Sequence, residues 1–293
     1  MNPTLIGSIA VLIWGAGLPI ARIIQGQIGV CAYVGISFGI AGLLALWDVN
    51  RTSSVDWKAF HQPALYGRWL FFVLHESLLL TAVGIVRAEN LPFVILLNYL
   101  WPTAIILCSI VIAGVRVTRP VYFGIGTLLV LFSLGFEIIG QKMFRDDFLA
   151  SSTDLLAYAL ATCGALSWGL YCAISKRFGD RTGGGSVVPV FQLTLGMALP
   201  LSFLPQLHIP WNISAGVGLL AVVNGFAQFI AYRSWDLGMR KGNVVALSLF
   251  ADFIPWMSLL AAALIVDVAI SVHTMISAFT MVVGAMVTRL GTR

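Results

Sequence analysis

The sequence predicts an all-α integral membrane protein: ten transmembrane helices as two inverted five-helix repeats, with both termini in the cytoplasm. Three observations predict it. Of 293 residues, 59% are hydrophobic and only 10% charged, where a soluble protein carries about a quarter charged residues. So few polar groups could not cover a water-facing surface. The apolar residues fall into ten runs, each near the roughly 20 residues a helix needs to cross a bilayer. The second half of the chain also repeats the first at an offset of about 153 residues.

The first run, 4–21, contains Trp14 and Gly15; no Lys or Arg precedes it, so it reads as a retained helix rather than a signal peptide. The second is 28–47, followed by a polar connection, 48–68, with room for a short surface helix around 55–60. The third, 69–86, carries His75 and Glu76, and the fourth, 92–113, carries Tyr99, Trp101 and Pro102. The fifth is 120–139 and the sixth, 155–175, contains Trp168 and Gly169. A glycine-rich link at 183–186 precedes the seventh run, 187–206. The eighth, 214–232, has Asn224, Gln228 and Tyr232 at four-residue spacing, a single polar stripe. The ninth, 244–265, holds Asp252 and Pro255, and the tenth is 271–288.

Orientation follows from Lys and Arg, which favour cytoplasmic loops. With the N-terminus inside, thirteen of the 17 bases lie on the cytoplasmic side, and only Arg22, Arg87, Lys142 and Arg145 lie opposite. The net charge of +5 is therefore topological. The bases form no patch on one face, so no nucleic-acid partner is expected. The four cysteines sit in apolar runs with no zinc-ligand spacing, which makes buried free thiols the expectation and gives no metal site.

The repeat divides the chain into 1–145 and 146–293. Trp14-Gly15 matches Trp168-Gly169, Arg87 matches Arg240, His75 lies over Gln228, Tyr99 over Asp252, and Pro102 over Pro255. Five spans per half invert the second copy relative to the first. Inverted repeats are typical of secondary transporters, whose site lies near the bilayer midplane at the repeat interface.

Five-plus-five inverted repeats in about 300 residues, a Trp-Gly in the first helix of each half and a proline inside the fourth resemble the EamA-type drug/metabolite transporters. More narrowly, Leu97-Asn98-Tyr99-Leu100-Trp101-Pro102, with Trp14 and His75-Glu76, is similar to the YddG-type aromatic amino-acid exporters of bacterial inner membranes. The resemblance implies a ten-helix exporter of aromatic and related neutral amino acids, and of aromatic cations such as methyl viologen. It implies no cofactor, and the bilayer and a small solute are the expected partners. One chain supplies both halves, so a monomer suffices.

Polar groups deep in a span are costly and usually face the bundle interior. The expected pathway residues are Trp14, His75, Tyr99, Trp101, Trp168, Asn224, Gln228 and Asp252, with Pro102 and Pro255 as hinges that each free a carbonyl one turn earlier. Bulk packing remains open as the alternative for each tryptophan, and helix-to-helix bonding for Asn224. Glu76 reads as a partner for another helix or an interfacial group rather than a proton carrier, while Glu137 and His273 read as end-of-helix groups meeting headgroups and water. Trp47, Trp57, Trp69, Trp211 and Trp235 read as the interfacial belt. Trp256, with the other deep tryptophans, is not explained that way.

Other function classes lack their signatures. His75-Glu76-Ser77-Leu78-Leu79 begins like a zinc-protease motif, but Leu79 stands where the second histidine must be. Gly183-Gly184-Gly185-Ser186 lacks the Gly-Lys-Ser/Thr of a phosphate loop. There is no paired-acid or Ser/His/Asp set, so an enzyme is not expected. A channel needs charge rings or a carbonyl filter, and a nucleotide-sugar carrier needs midplane bases; neither is visible. A drug or metabolite carrier for another small solute is the remaining alternative. With Glu76 and Asp252 the only clear intramembrane acids, passive flux is expected at least as readily as proton antiport.

Overall fold

The computed structural model describes residues 2–52, 54–144, 151–202, 213–242, 247 and 250–292. The fold is all-helical, and seven helices among these residues are long and apolar enough to cross a bilayer. Leu12, Val111, Leu128, Leu264 and Phe279 are all at least 60% exposed, an apolar exterior that suits lipid.

Helix α1, Pro3–Thr52, is 50 residues long. Straight, it would measure about 75 Å, more than twice the ~30 Å hydrocarbon core. It folds back at Gly29, whose φ of 80° suits a residue without a side chain. The reversal shows in its contacts with α8, Ala215–Lys241. Gly7 lies against Gly238, and Asp48 pairs with Arg233 only five residues earlier. Both ends of α1 therefore meet the same end of α8. The two arms, 3–28 and 30–52, are the first two expected spans.

The connection contains a short 3-10 turn, Trp57–His61, where Asp56 accepts from the Lys58 N–H at 3.1 Å. Helix α2, Pro63–Ile85, begins on a proline that needs no amide partner there. The fourth expected span is two helices, α3 (Leu91–Asn98) and α4 (Trp101–Ile112). Pro102 lies in the first turn of α4 rather than inside a continuous helix, so the chain breaks before it instead of bending through it. Helix α5 is Pro120–Phe144 and α6 is Ser152–Phe178. The Ser151 hydroxyl caps α6 at the Asp154 N–H, and Lys176 and Arg177 favour its negative C-terminal end. Helix α7 is Val188–Ser202, α9 is Ile254–Ile265 and α10 is Val272–Leu290. Parts of the seventh and ninth expected spans, and Trp211, lie outside the described residues.

Several features recur at the 153-residue offset. Helices α4 and α9 each have 12 residues. Each follows a two-residue turn, Tyr99-Leu100 and Asp252-Phe253, and has its proline second. Beyond them, Gly114 and Asp267 take φ of 70° and 56°. The Ala104 N–H donates to Leu100 and the Met257 N–H to Phe253; the Val115 N–H donates to Ser109 and the Val268 N–H to Ala262. The close approaches recur as well. A Cβ on Gly15 would come within 2.5 Å of Met257, and one on Gly169 within 2.7 Å of Ala104. Helices α5 and α10 run antiparallel: Gly126 lies against Thr288, and Gly140 against His273.

Candidate functional site

An internal chamber of about 80 Å³ lies where α1, α2, α3, α4, α6, α8 and α9 converge. Trp14, His75, Tyr99, Trp101, Trp168 and Gln228 line it, as do Tyr33, Glu76, Asn98, Tyr232 and Ser258. Aromatic rings make up a large part of the wall. Trp14 and Trp168, which match at the repeat offset, meet edge-to-face with ring centres 6.3 Å apart. Tyr232 lies 5.3 Å from Trp14, and the His75 ring 4.7 Å from Trp168. Trp101 leans on Tyr99 at 6.0 Å.

The polar groups are oriented by neighbouring helices. The His75 Nδ1–H donates to the Gly164 carbonyl at 2.9 Å, which leaves Nε2 facing Glu76 at 3.7 Å. The Tyr232 hydroxyl donates to Glu76 Oε1, and the Tyr99 hydroxyl to the Ala251 carbonyl. Ala251 is the carbonyl that Pro255, four residues on, leaves without a helical donor. The freed carbonyl thus holds a tyrosine rather than facing the cavity. Glu76 is the only carboxylate on the described lining, and no Lys or Arg lines it.

Two expected pathway residues are absent from the wall. Asn224 accepts from the Tyr33 hydroxyl at 3.1 Å and so bonds one helix to another. Asp252 is 1% exposed and takes a bidentate pair from Arg289, both contacts at 2.9 Å. Its basic partner comes from α10, out of reach of any pattern within its own span. Glu76 corrects the opposite way: besides meeting Tyr232 of α8, it faces the chamber. Glu137 is fully buried, accepting from Gln141 at 2.8 Å and Thr274 at 2.7 Å, so water and headgroups do not account for it. His273 stacks on Phe144 beside it. Trp235 is 7% exposed and packs on Trp14 and Trp101 rather than forming part of a belt, whereas Trp47 and Trp57 are over half exposed. Tyr33 and Ser258 gave no signal in sequence, because neither stands out from other mid-span polar residues.

A second cavity of about 280 Å³ lies toward the end carrying Asp48 and Arg233, walled also by Gly183, Gln192 and Asp236. Tyr232 borders both cavities and stands as the partition between them. At the other end neighbouring helices are tied together, beside a third cavity of about 850 Å³ walled in part by Ala88, Glu89, Pro92 and Gln141. Arg22 donates to the carbonyls of Val83 and Gly84 at 2.9 and 2.7 Å, and Arg87 and Asn90 both donate to Asp154.

Fold and chamber together define a polytopic helical membrane protein with an aromatic-lined central site. No protein-family model matches the chain. Across 99% of its length it is 26% identical to the aromatic amino acid exporter YddG of Salmonella typhimurium and 25% identical to that of Escherichia coli, covering 97% of each. The YddG exporter of Ancylobacter novellus is 27% identical over 88% of this chain and 87% of its own. A crystal structure at 25% identity matches with a TM-score of 0.69, over 98% of this chain and 97% of that one. The chain is thus similar from end to end to YddG-type transporters, which are not enzymes.

Proposed function

We propose that this chain is a bacterial inner-membrane exporter of aromatic and related neutral amino acids, working by alternating access about the central chamber. The observation that carries the reading is the chamber wall: repeat-matched Trp14 and Trp168 meet across it, and its one carboxylate is unaccompanied by any lining Lys or Arg. Indole faces stack on aromatic solutes, and the absent bases disfavour phosphorylated ones. The names of the relatives support the same solute class.

The mechanism rests on ten spans in two inverted repeats, 1–145 and 146–293, with both termini cytoplasmic. Its support is the recurrent hydrogen bonding at the 153-residue offset, the antiparallel α5/α10 pair and the thirteen-to-four asymmetry of bases. In that orientation the cavity of about 280 Å³ is the cytoplasmic vestibule, and the Arg22 and Arg87 clusters seal the chamber from the periplasmic side. At about 80 Å³ the chamber is smaller than the roughly 300 Å³ at which ligand pockets begin. Loading therefore moves Tyr232 and joins chamber to vestibule. Release breaks the periplasmic seal while the cytoplasmic end closes. Methyl viologen, flat and cationic, is a further candidate solute for the same aromatic walls.

A solute panel in proteoliposomes tests this. Tryptophan and phenylalanine should move saturably without ATP, and Trp101→Ala and His75→Ala should each reduce the flux about tenfold or more. Ionic current without amino-acid movement would overturn the reading.

A further inference from the structure

We propose that the chamber reads a primary ammonium and leaves the α-carboxylate unread, so that aromatic amines lacking a carboxylate bind there as well as aromatic amino acids. The inference rests on the chamber being the substrate site. A primary ammonium presents three N–H donors and no acceptor. Three residues on the chamber lining carry acceptors, each from a different helix: the Glu76 carboxylate of α2, the Asn98 side-chain oxygen at the end of α3, and the Gln228 side-chain oxygen of α8. The amide oxygens of Asn98 and Gln228 are buried and accept no hydrogen bond. Glu76 and Gln228 are 5% and 7% exposed. A buried acceptor left without a donor costs about 1–3 kcal/mol, so a ligand bringing N–H groups gains from each.

No cationic side chain on the described lining stands ready for a carboxylate. Among the described residues no Lys or Arg lines the chamber, and the His75 Nδ1–H is committed to Gly164. The three lining phenols are committed too: Tyr33 donates to Asn224, Tyr99 to Ala251 and Tyr232 to Glu76. An aromatic acid without an amine would set a second carboxylate against Glu76, and like charges in a dry site repel. An incoming ammonium instead competes with the Tyr232 hydroxyl for Glu76. Recognition is thereby tied to the residue that partitions chamber from vestibule.

Calorimetric titration of the purified full-length protein with tryptamine, tryptophan and indole-3-propionate tests the proposal, because the three share the indole. Tryptamine should bind within tenfold of tryptophan, and indole-3-propionate at least tenfold more weakly than either. Glu76→Gln should weaken tryptamine tenfold or more and leave indole-3-propionate unchanged or tighter, while Glu76→Asp restores part of the loss. Gln228→Leu, which keeps the native charge, should weaken the amine selectively and serves if Glu76→Gln does not fold. Equal binding of amine and acid, or equal loss of all three ligands in a folded variant, would overturn the proposal. Glu76-dependent tryptamine binding without amino-acid flux in liposomes would sink the exporter reading and leave this one standing. Amino-acid flux with no tryptamine binding would do the reverse.

Discussion

The hydroxyl of Tyr99 donates to the carbonyl of Ala251, which the proline at position 255 has deprived of its helical donor. Tyr99 belongs to the break between α3 and α4, and Ala251 to the equivalent break before α9. One hydrogen bond therefore joins the two interrupted spans beside the chamber. Tyr99→Phe leaves a buried acceptor unsatisfied and should destabilise the protein by about 1–3 kcal/mol. Thermal unfolding in detergent should show a lowered midpoint, with Trp256→Phe, outside the chamber, shifting it less.

Asp252 and Arg289 form a buried bidentate pair linking α10 to the start of α9. Removing one partner leaves an uncompensated charge, at a cost of about 3–5 kcal/mol, while an apolar replacement of both is far milder. Asp252→Asn and Arg289→Met should each lower stability markedly. The double variant Asp252→Leu/Arg289→Met should recover much of it, read by the same unfolding measurement.

Trp168 packs against Trp14, His75 and Tyr171 and faces the chamber. Aromatic contacts add about 0.5–1.5 kcal/mol beyond buried area, which corresponds to roughly a two- to tenfold change in affinity. Trp168→Phe should raise the KM for tryptophan within that range with little change in kcat. The same change at Trp256 should leave both constants unaltered.

The acids in the membrane are partnered. Glu76 accepts from Tyr232, Asp252 from Arg289, and Glu137 from Gln141 and Thr274. Downhill flux should therefore continue when the proton gradient is collapsed with an ionophore. Complete loss of downhill movement would show an obligatory proton.

Much of this was legible in the sequence, because bilayer thickness imposes run lengths and the repeat offset pairs distant residues. Trp14, Trp168, His75, Gln228, Tyr99 and Trp101 could be nominated on depth and register alone. What sequence did not carry was which neighbour each polar group meets. Asp252 and Arg289 are 37 residues apart, and Tyr33 and Asn224 are 191 apart. No periodicity within a span reports such partners. His75 and Glu76, about 100° apart on one helix, both reach the chamber because it lies at the junction of several helices. Glu137 looked interfacial because it lies toward a helix end, but the close α5/α10 packing excludes solvent there.

The most direct test of transport through this chamber uses a single cysteine at position 258, introduced as Ser258→Cys after the native cysteines are replaced. Ser258 is 1% exposed and lines the chamber. A membrane-impermeant thiol reagent should label it from either side of the membrane, and saturating phenylalanine should protect it from both. Labelling from one side only, or labelling that phenylalanine does not slow, would contradict alternating access of an aromatic amino acid through this site.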